Sequence, residues 1–318
     1  MNLSEIYQKG SEILSASKMG FNMWGVETEF VLKHNRDVLD SYTFRQKAID
    51  AEPATTKTRL LDVNLEVPVI MSSITSPIPI IQKDGLMKVA SALKSTGSMM
   101  SLGSPMPGNL KELVDTGVPV VQTFKPIADR KKLMEMILSA VEAGVTWVGI
   151  EVDAGLGTKI RDRIMVKDCV PISLTELKEI KQMISCPFIL KGILSGWDAE
   201  KALEAGADII VVSNHGGHSL DYLPHPLEVM DEIVNVIGHK IPIIMDGGFR
   251  RGSDVLKGLA SGAQAVGLGR PILYGLAADD ENGVRDVITG IADELRRTMT
   301  MTGVKTPMHA DKSALIKI

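Results

Sequence analysis

The stretch IIVVSNHGGHSLDY, from Ile209 to Tyr222, opens on four apolar residues with no polar alternation and then turns polar within two positions. An unbroken β-branched run of this length describes a strand covered on both faces, the kind found in parallel sheets flanked by helices. Ser213, Asn214 and His215 therefore stand at the strand's C-terminal end. Working outward, seven further apolar runs are bounded by Gly, Pro, Ser or Asp: VPVIMSS (67–73), GSMMSLG (97–103), VPVVQTF (118–124), TWVGIEVDA (146–154), PFILKGI (187–193), IPIIMDGG (241–248) and AVGLGRP (265–271). The intervals between them carry helical patterns such as ADRKKLMEMILSAVEAG and PLEVMDEIVNVIG, many beginning near Asp, Ser or Pro and ending in Gly, as helix caps do. Strand and helix alternating eight times predicts an α/β protein with a (β/α)8 TIM barrel, an open doubly wound sheet being the main rival. Residues 1–62 read as an N-terminal helical extension, 63–280 as the barrel, and 281–318 as a C-terminal helix (Val284 to Met301) and tail, all in one domain.

The bulk numbers narrow the function classes. With 35 basic residues against 39 acidic ones, net −4, the chain offers no broad field for nucleic acid or a membrane surface, so a small-molecule ligand is expected. Cys169 and Cys186 are the only cysteines and stand in no zinc or disulfide spacing, which points to reduced thiols, no metal site and a cytoplasmic setting. The polar N-terminus has no apolar signal region, and no apolar run approaches the roughly 20 residues needed to span a bilayer.

In a barrel the C-terminal strand ends face one site, so they are read together. They hold Ser72 and Ser73, Gly103, Gln122, Glu151 with Asp153, Lys191, Ser213 with His215, Asp246 with Gly248, and Gly269 with Arg270. Singly, each is an ordinary turn residue or a solvated charge; together they make a polar rim. MDGGFRRGSD (245–254) and VGLGRP (266–271) combine glycines, which let backbone N–H groups approach a ligand, with arginines that grip phosphate oxygens, after the two strands where barrels commonly hold phosphate. A phosphorylated ligand is expected there. Lys191 lies inside the apolar run ILKGIL, where its charge needs an anion or polar ligand, a salt bridge being the plainer reading. Asp153 could orient His215 as a general base, a capping role being its plainer reading.

DIIVVSNHGGHSLD followed by IPIIMDGGFRRGSDVLKGLASGAQAVGLGRP resembles the FMN-dependent α-hydroxy acid oxidases and dehydrogenases, the group of glycolate oxidase, lactate oxidase and flavocytochrome b2. The likeness is strongest from Pro187 to Gly303 and continues more weakly through VVQTFKPIADR to WGVETEFVLKHNRDVLD. It implies a (β/α)8 barrel with FMN across its mouth and a homo-oligomer, commonly a tetramer. By resemblance, Gly248, Arg250, Gly269 and Arg270 would hold the phosphate and Asp246 the ribityl hydroxyls. Lys191 would sit near flavin N1, Gln122 at the ring edge, Ser213 near the flavin or ribityl chain, and Ser72, Ser73, Ile74 and Thr75 along the N5 side, with Gly103 among the cofactor contacts. His215 would be the catalytic base, with Asp153 as its partner and Lys191 stabilising the reduced flavin.

The substrate half departs from that family. His218 stands where the family has a carboxylate-binding arginine, Lys159 where it has a second one, and Phe21 and Phe124 where it has two substrate-contacting tyrosines. Glu151 replaces a threonine beside the flavin, and the stretch from Asp162 to Pro187 is shorter than the family's lid segment. The reading is an FMN oxidoreductase acting on a C–H bond next to a hydroxyl or amine, on a substrate other than simple lactate or glycolate. The alternatives are a non-redox FMN isomerase resembling type 2 isopentenyl diphosphate isomerase, or an inactive flavin-binding protein.

Overall fold

The computed structural model describes residues 1–18, 20–238 and 240–318, the side chain of Phe21 excepted. All eight expected strands form: β1 (Val69–Met71), β2 (Met100–Leu102), β3 (Val120–Phe124), β4 (Trp147–Glu151), β5 (Phe188–Ile193), β6 (Ile209–Val212), β7 (Ile243–Asp246) and β8 (Ala265–Leu268). They pair in parallel in the order β2-β3-β4-β5-β6-β7-β8-β1, and a parallel bridge between Ile70 and Met99 brings β1 back to β2. The closed ring of strands with helices outside is a (β/α)8 barrel.

Period-two alternation along each strand sorts the side chains. Ile70, Met99, Val121, Trp147, Ile189, Val211, Ile244 and Ala265 point inward and form one apolar cluster. Their neighbours in the strands, such as Val120, Ile150, Leu190 and Val266, join a second cluster under the helices. Complete burial contributes roughly 1.5–3 kcal/mol for each aliphatic side chain. The next inward position up the strands is polar or glycine throughout: Ser72, Ser101, Thr123, Gly149 with Glu151 above it, Lys191, Ser213, Asp246 and Gly267. This change from an apolar to a polar layer places the site.

Several helices start on side-chain caps that the sequence announces. Asp129 accepts from Lys132 N–H, Ser195 from Asp198 N–H, and Ser173 forms a capping box with Glu176.

Three features differ from the sequence reading. Residues 1–62 contain the helices Leu3–Ala16 and Phe30–Asp40, but also the strand Tyr42–Phe44, which pairs with Leu315–Lys317 at the other end of the chain. An antiparallel hairpin, Thr58–Leu60 with Val63–Leu65, plugs the barrel floor with Leu60, Val63 and Leu65. The C-terminal helix begins earlier than Val284: the helix after β8 runs into it as Arg270–Thr302, broken by non-helical backbone at Asp279 and Asp280. Asp280 is held at this break by Gln82, which donates to its carboxylate at 2.7 Å, and by Lys88. The Leu3–Ala16 helix packs against this long helix so closely that a Cβ at Gly10 would lie 2.3 Å from the Tyr274 carbonyl oxygen. No described helix is long and apolar enough to cross a membrane.

Candidate active site

Above the polar layer the strand ends enclose a cavity of about 410 Å³, within the range of roughly 300–1,000 Å³ usual for small-molecule sites. One set of its lining residues is His215, Lys191 and Lys125 and a second is Gly248, Arg250, Gly269 and Arg270, with Arg270 reaching the first set by donating to the Gly216 carbonyl at 3.2 Å.

His215 follows β6 with a left-handed backbone, φ 56°, ahead of Gly216 and Gly217, which also have positive φ. A non-glycine residue held there is strained by about 1–3 kcal/mol, and such strain persists where the surroundings impose it. The surroundings are visible. Ser213 Oγ accepts from His215 N–H at 3.0 Å and from Lys191 Nζ at 3.2 Å, and donates to Asp246, so its hydrogen-bonding capacity is filled. His215 Nδ1 lies 2.8 Å from Asp153 Oδ2. Burial opposes the charge on Asp153, but His215 and Lys191 overcome it and hold the carboxyl below its usual range. An ionised carboxylate can only accept, so Nδ1 carries the ring proton and Nε2 is left to take one. Gly192 makes the room: with φ at 93°, it sits at a register shift in β5, and a Cβ there would lie 2.2 Å from Asp153 Cγ.

Lys191 is 4% exposed, and burial alone would push its pKa down. Asp246, Asp153 and Glu151 outweigh that effect and raise it, so the ammonium stays charged. Glu151 is fully buried; burial favours its neutral form, but Lys125, His215 and Lys191, together with the Thr123 hydroxyl, hold it well below the usual carboxylate range.

The loop after β7 is clamped from behind. Arg36 donates to the Gly248 carbonyl at 3.0 Å and to Asp254 at 2.7 Å, and Asp254 accepts from the N–H groups of Arg250 and Arg251. His225 donates from Nε2 to the Gly247 carbonyl at 2.9 Å while its Nδ1 accepts from Leu227 N–H. Arg250 is left exposed on the cavity wall, and Arg270 begins the helix after β8, donates from both Nη groups to the Gly216 carbonyl and leaves Nε without a partner among the described residues. Gly267 supplies no side chain where a Cβ would come within 2.5 Å of Ser72 Oγ, which keeps the mouth open. Beyond it, Gln122 is fully buried, donates to the Gly103 carbonyl at 3.1 Å and leaves Oε1 without a partner among the described residues. Two arginines on the wall, one of them with an orphaned buried Nε, and a buried ammonium fit FMN, with its phosphate and its need for a cation when reduced.

Of the residues read from sequence, Ser72, Ser73, Ile74, Thr75, Gly103, Lys191, His215, His218, Asp246, Gly248, Arg250, Gly269 and Arg270 all line this cavity. Glu151, Asp153 and Ser213 are packed directly behind the wall through the contacts just described, whereas Gln122, expected at the flavin edge, shares the outward parity of Phe124 along β3 and does not line the cavity. Phe124 is fully buried in the cluster beneath the helices, away from the cavity wall, because alternation along β3 turns it outward. Lys159 also stands off the wall and pairs with Glu27 at 2.8 Å. The side chain of Phe21 lies outside the described residues. His218 Nε2 lies 2.8 Å from the Trp24 carbonyl and 3.3 Å from an Arg270 nitrogen. Burial and the Arg270 charge hold its pKa well below the ordinary histidine value, so the ring is neutral and Nε2–H donates to Trp24.

Two inward residues escaped the sequence reading, Thr123 and Lys125. Extending the inward alternation of β3 from Val121 would have reached both.

The chain matches the family model of FMN-dependent dehydrogenases over residues 11–167 and 162–317. Glycolate oxidase 3 of Arabidopsis thaliana is 30% identical over 344 residues, a match covering 96% of this chain and 93% of that protein. A 2-hydroxyacid oxidase of Dictyostelium discoideum is 29% identical, with 96% and 87% covered. The crystal structure of mandelate oxidase superposes with a TM-score of 0.90 at 26% identity, over 99% of this chain and 97% of that one.

Proposed function

The chain belongs to the FMN-dependent dehydrogenase family and is an FMN-dependent oxidoreductase, and from that premise we propose that it oxidises a C–H bond next to a hydroxyl or amine with His215 as the base. The Asp153–His215 pair beside the buried Lys191 carries this reading. Asp153 fixes the proton on Nδ1 and stabilises the imidazolium that forms when Nε2 takes the substrate's O–H or N–H proton. FMN, when bound, supplies the acceptor for the two electrons and the hydrogen of the C–H bond. Lys191, kept charged by its three carboxylate neighbours, offsets the negative charge gained on reduction. Gly248, Arg250, Gly269 and Arg270 are assigned to the phosphate, Asp246 to the ribityl chain, and Ser72 to Thr75 with Gly103 to the remaining cofactor contacts.

The substrate is proposed to differ from lactate and glycolate. A guanidinium fork gives a carboxylate two charge-assisted hydrogen bonds, each worth about 1.5–3 kcal/mol. His218, neutral and already bonded to Trp24, cannot replace it. The free thiols fit a cytoplasmic enzyme, and family likeness a homo-oligomer, which fractionation and light scattering test.

The test of activity is direct. Purified protein loaded with FMN is mixed anaerobically with a panel of 2-hydroxy compounds, amines and alcohols, and the flavin band is followed. Bleaching by a panel member is the expected result; a flavin reduced only by dithionite or NAD(P)H would move the assignment towards an isomerase or a reductase.

A further inference from the structure

Beside His215 the barrel carries a buried ion pair. Lys125 Nζ lies 3.0 Å from Glu151 Oε2, and Thr123 donates to Glu151 Oε1 at 2.6 Å. The same Oε2 stands 3.7 Å from His215 Nε2, so ammonium and base edge are within the span of one small substrate. Lys125 is 7% exposed and forms part of the cavity wall.

The charges at this end do not favour an incoming anion. Its inward carboxylates are Glu151, Asp153 and Asp246, and its inward ammoniums are only Lys125 and Lys191. Two cations outside the wall are also engaged, Lys159 with Glu27, and Arg161 with Glu29 while stacked on Trp24. His218 is neutral, Arg270 donates to the Gly216 and Trp24 carbonyls, and Arg250 and Arg270 are the pair assigned above to the FMN phosphate. Among the described residues, both lysines beside His215 face carboxylates, Lys125 facing Glu151 and Lys191 facing Asp246, Asp153 and Glu151. A substrate carboxylate beside Lys125 would meet Glu151 as a like charge in a site that excludes water, where such repulsion is strong.

We propose that the Lys125–Glu151 pair determines specificity, selecting uncharged 2-hydroxy compounds of the amide or ester type over 2-hydroxy acid anions. This rests on the oxidase reading and names the substrate class of the same site. Lys125 donates a spare N–H to the substrate's amide or ester carbonyl, while Glu151 cancels its charge. The substrate O–H proton passes to His215, the C–H hydrogen and its electron pair pass to FMN, and the product is the 2-oxo amide or ester.

The test uses the FMN-loaded protein and two matched pairs, lactamide with lactate and 2-hydroxyphenylacetamide with 2-hydroxyphenylacetate, with anaerobic flavin bleaching as readout. The amide is expected to half-saturate at a concentration at least about tenfold below its acid in one pair or both. Glu151→Gln, which keeps the shape and removes the charge, should shift the ratio towards the acid by about tenfold or more. Lys125→Met, which strips Glu151 of its counterion, should shift it the other way, so either variant suffices if the other fails to fold. An acid preferred by the wild type, or a ratio unmoved by both variants, overturns the inference and leaves the oxidase reading standing. No bleaching by any of the four compounds overturns the inference, and it overturns the oxidase reading as well when the amines and alcohols of the wider panel also leave the flavin oxidised.

Discussion

Replacing Gly192 with alanine is a sensitive way to disturb the base without touching it. The new Cβ would lie 2.2 Å from Asp153 Cγ and 2.4 Å from Oδ1, distances no pair of non-bonded atoms tolerates, so Asp153 or the β5 backbone must move. The φ of 93° adds strain for any L side chain. Left-handed strain and overpacking each cost about 1–3 kcal/mol. The larger consequence falls on the 2.8 Å bond from His215 Nδ1 to Asp153, which cannot survive a displacement of that size. Misplacing a catalytic group by about 1 Å costs on the order of 100-fold in rate. Stopped-flow reduction of bound FMN by a substrate should therefore slow by about 100-fold while the flavin stays bound, since Gly192 is not among the residues lining the cavity. Thermal unfolding measured in parallel should show a lower Tm. A Gly192→Ala protein that reduces its flavin at the wild-type rate would refute the role given to Asp153.

Lys191→Met should weaken FMN binding and lower its midpoint potential, because the cation that offsets reduction is gone; each loss of about 1.4 kcal/mol lowers a two-electron midpoint by about 30 mV, measurable by spectroelectrochemistry. His225 links pH to the loop after β7. Its folded pKa is lowered to about 4 from 6.5, first by burial, so as pH falls through that window the unfolded chain takes up a proton that the folded chain refuses. The stability is present above about pH 6.5 and is lost towards pH 4, by on the order of 3 kcal/mol in all. Wild-type Tm should fall over this window, and the fall should be shallower in His225→Gln.

Much of the barrel is readable from residues alone because each strand is a short apolar run ending in a polar residue, and Ile209 to His215 shows why. A strand covered on both faces must be apolar, and its polar end must lie at the barrel mouth. Partnership between Asp153 and His215 follows once both are placed at strand ends. Less legible were features that depend on contacts distant in sequence. The Thr58–Leu65 hairpin is too short to show a period, and its identity as the barrel floor comes from Leu60, Val63 and Leu65 meeting the interior cluster. Lys125 lies just past the point where the apolar run of β3 ends, so it reads as a loop charge until alternation from Val121 is extended. That Lys159 is paired with Glu27 depends on a fold that brings the 159–164 hairpin to the N-terminal segment.

The proposed oxidation turns on His215, and not on the flavin environment in general. His215→Ala should bind FMN and remain yellow, since among the described residues the His215 ring donates only to Asp153, which lies behind the cavity wall. Mixed anaerobically with a compound that bleaches the wild type, it should keep its flavin oxidised on the wild-type timescale and still be reduced by dithionite. Bleaching of His215→Ala at the wild-type rate would contradict the account.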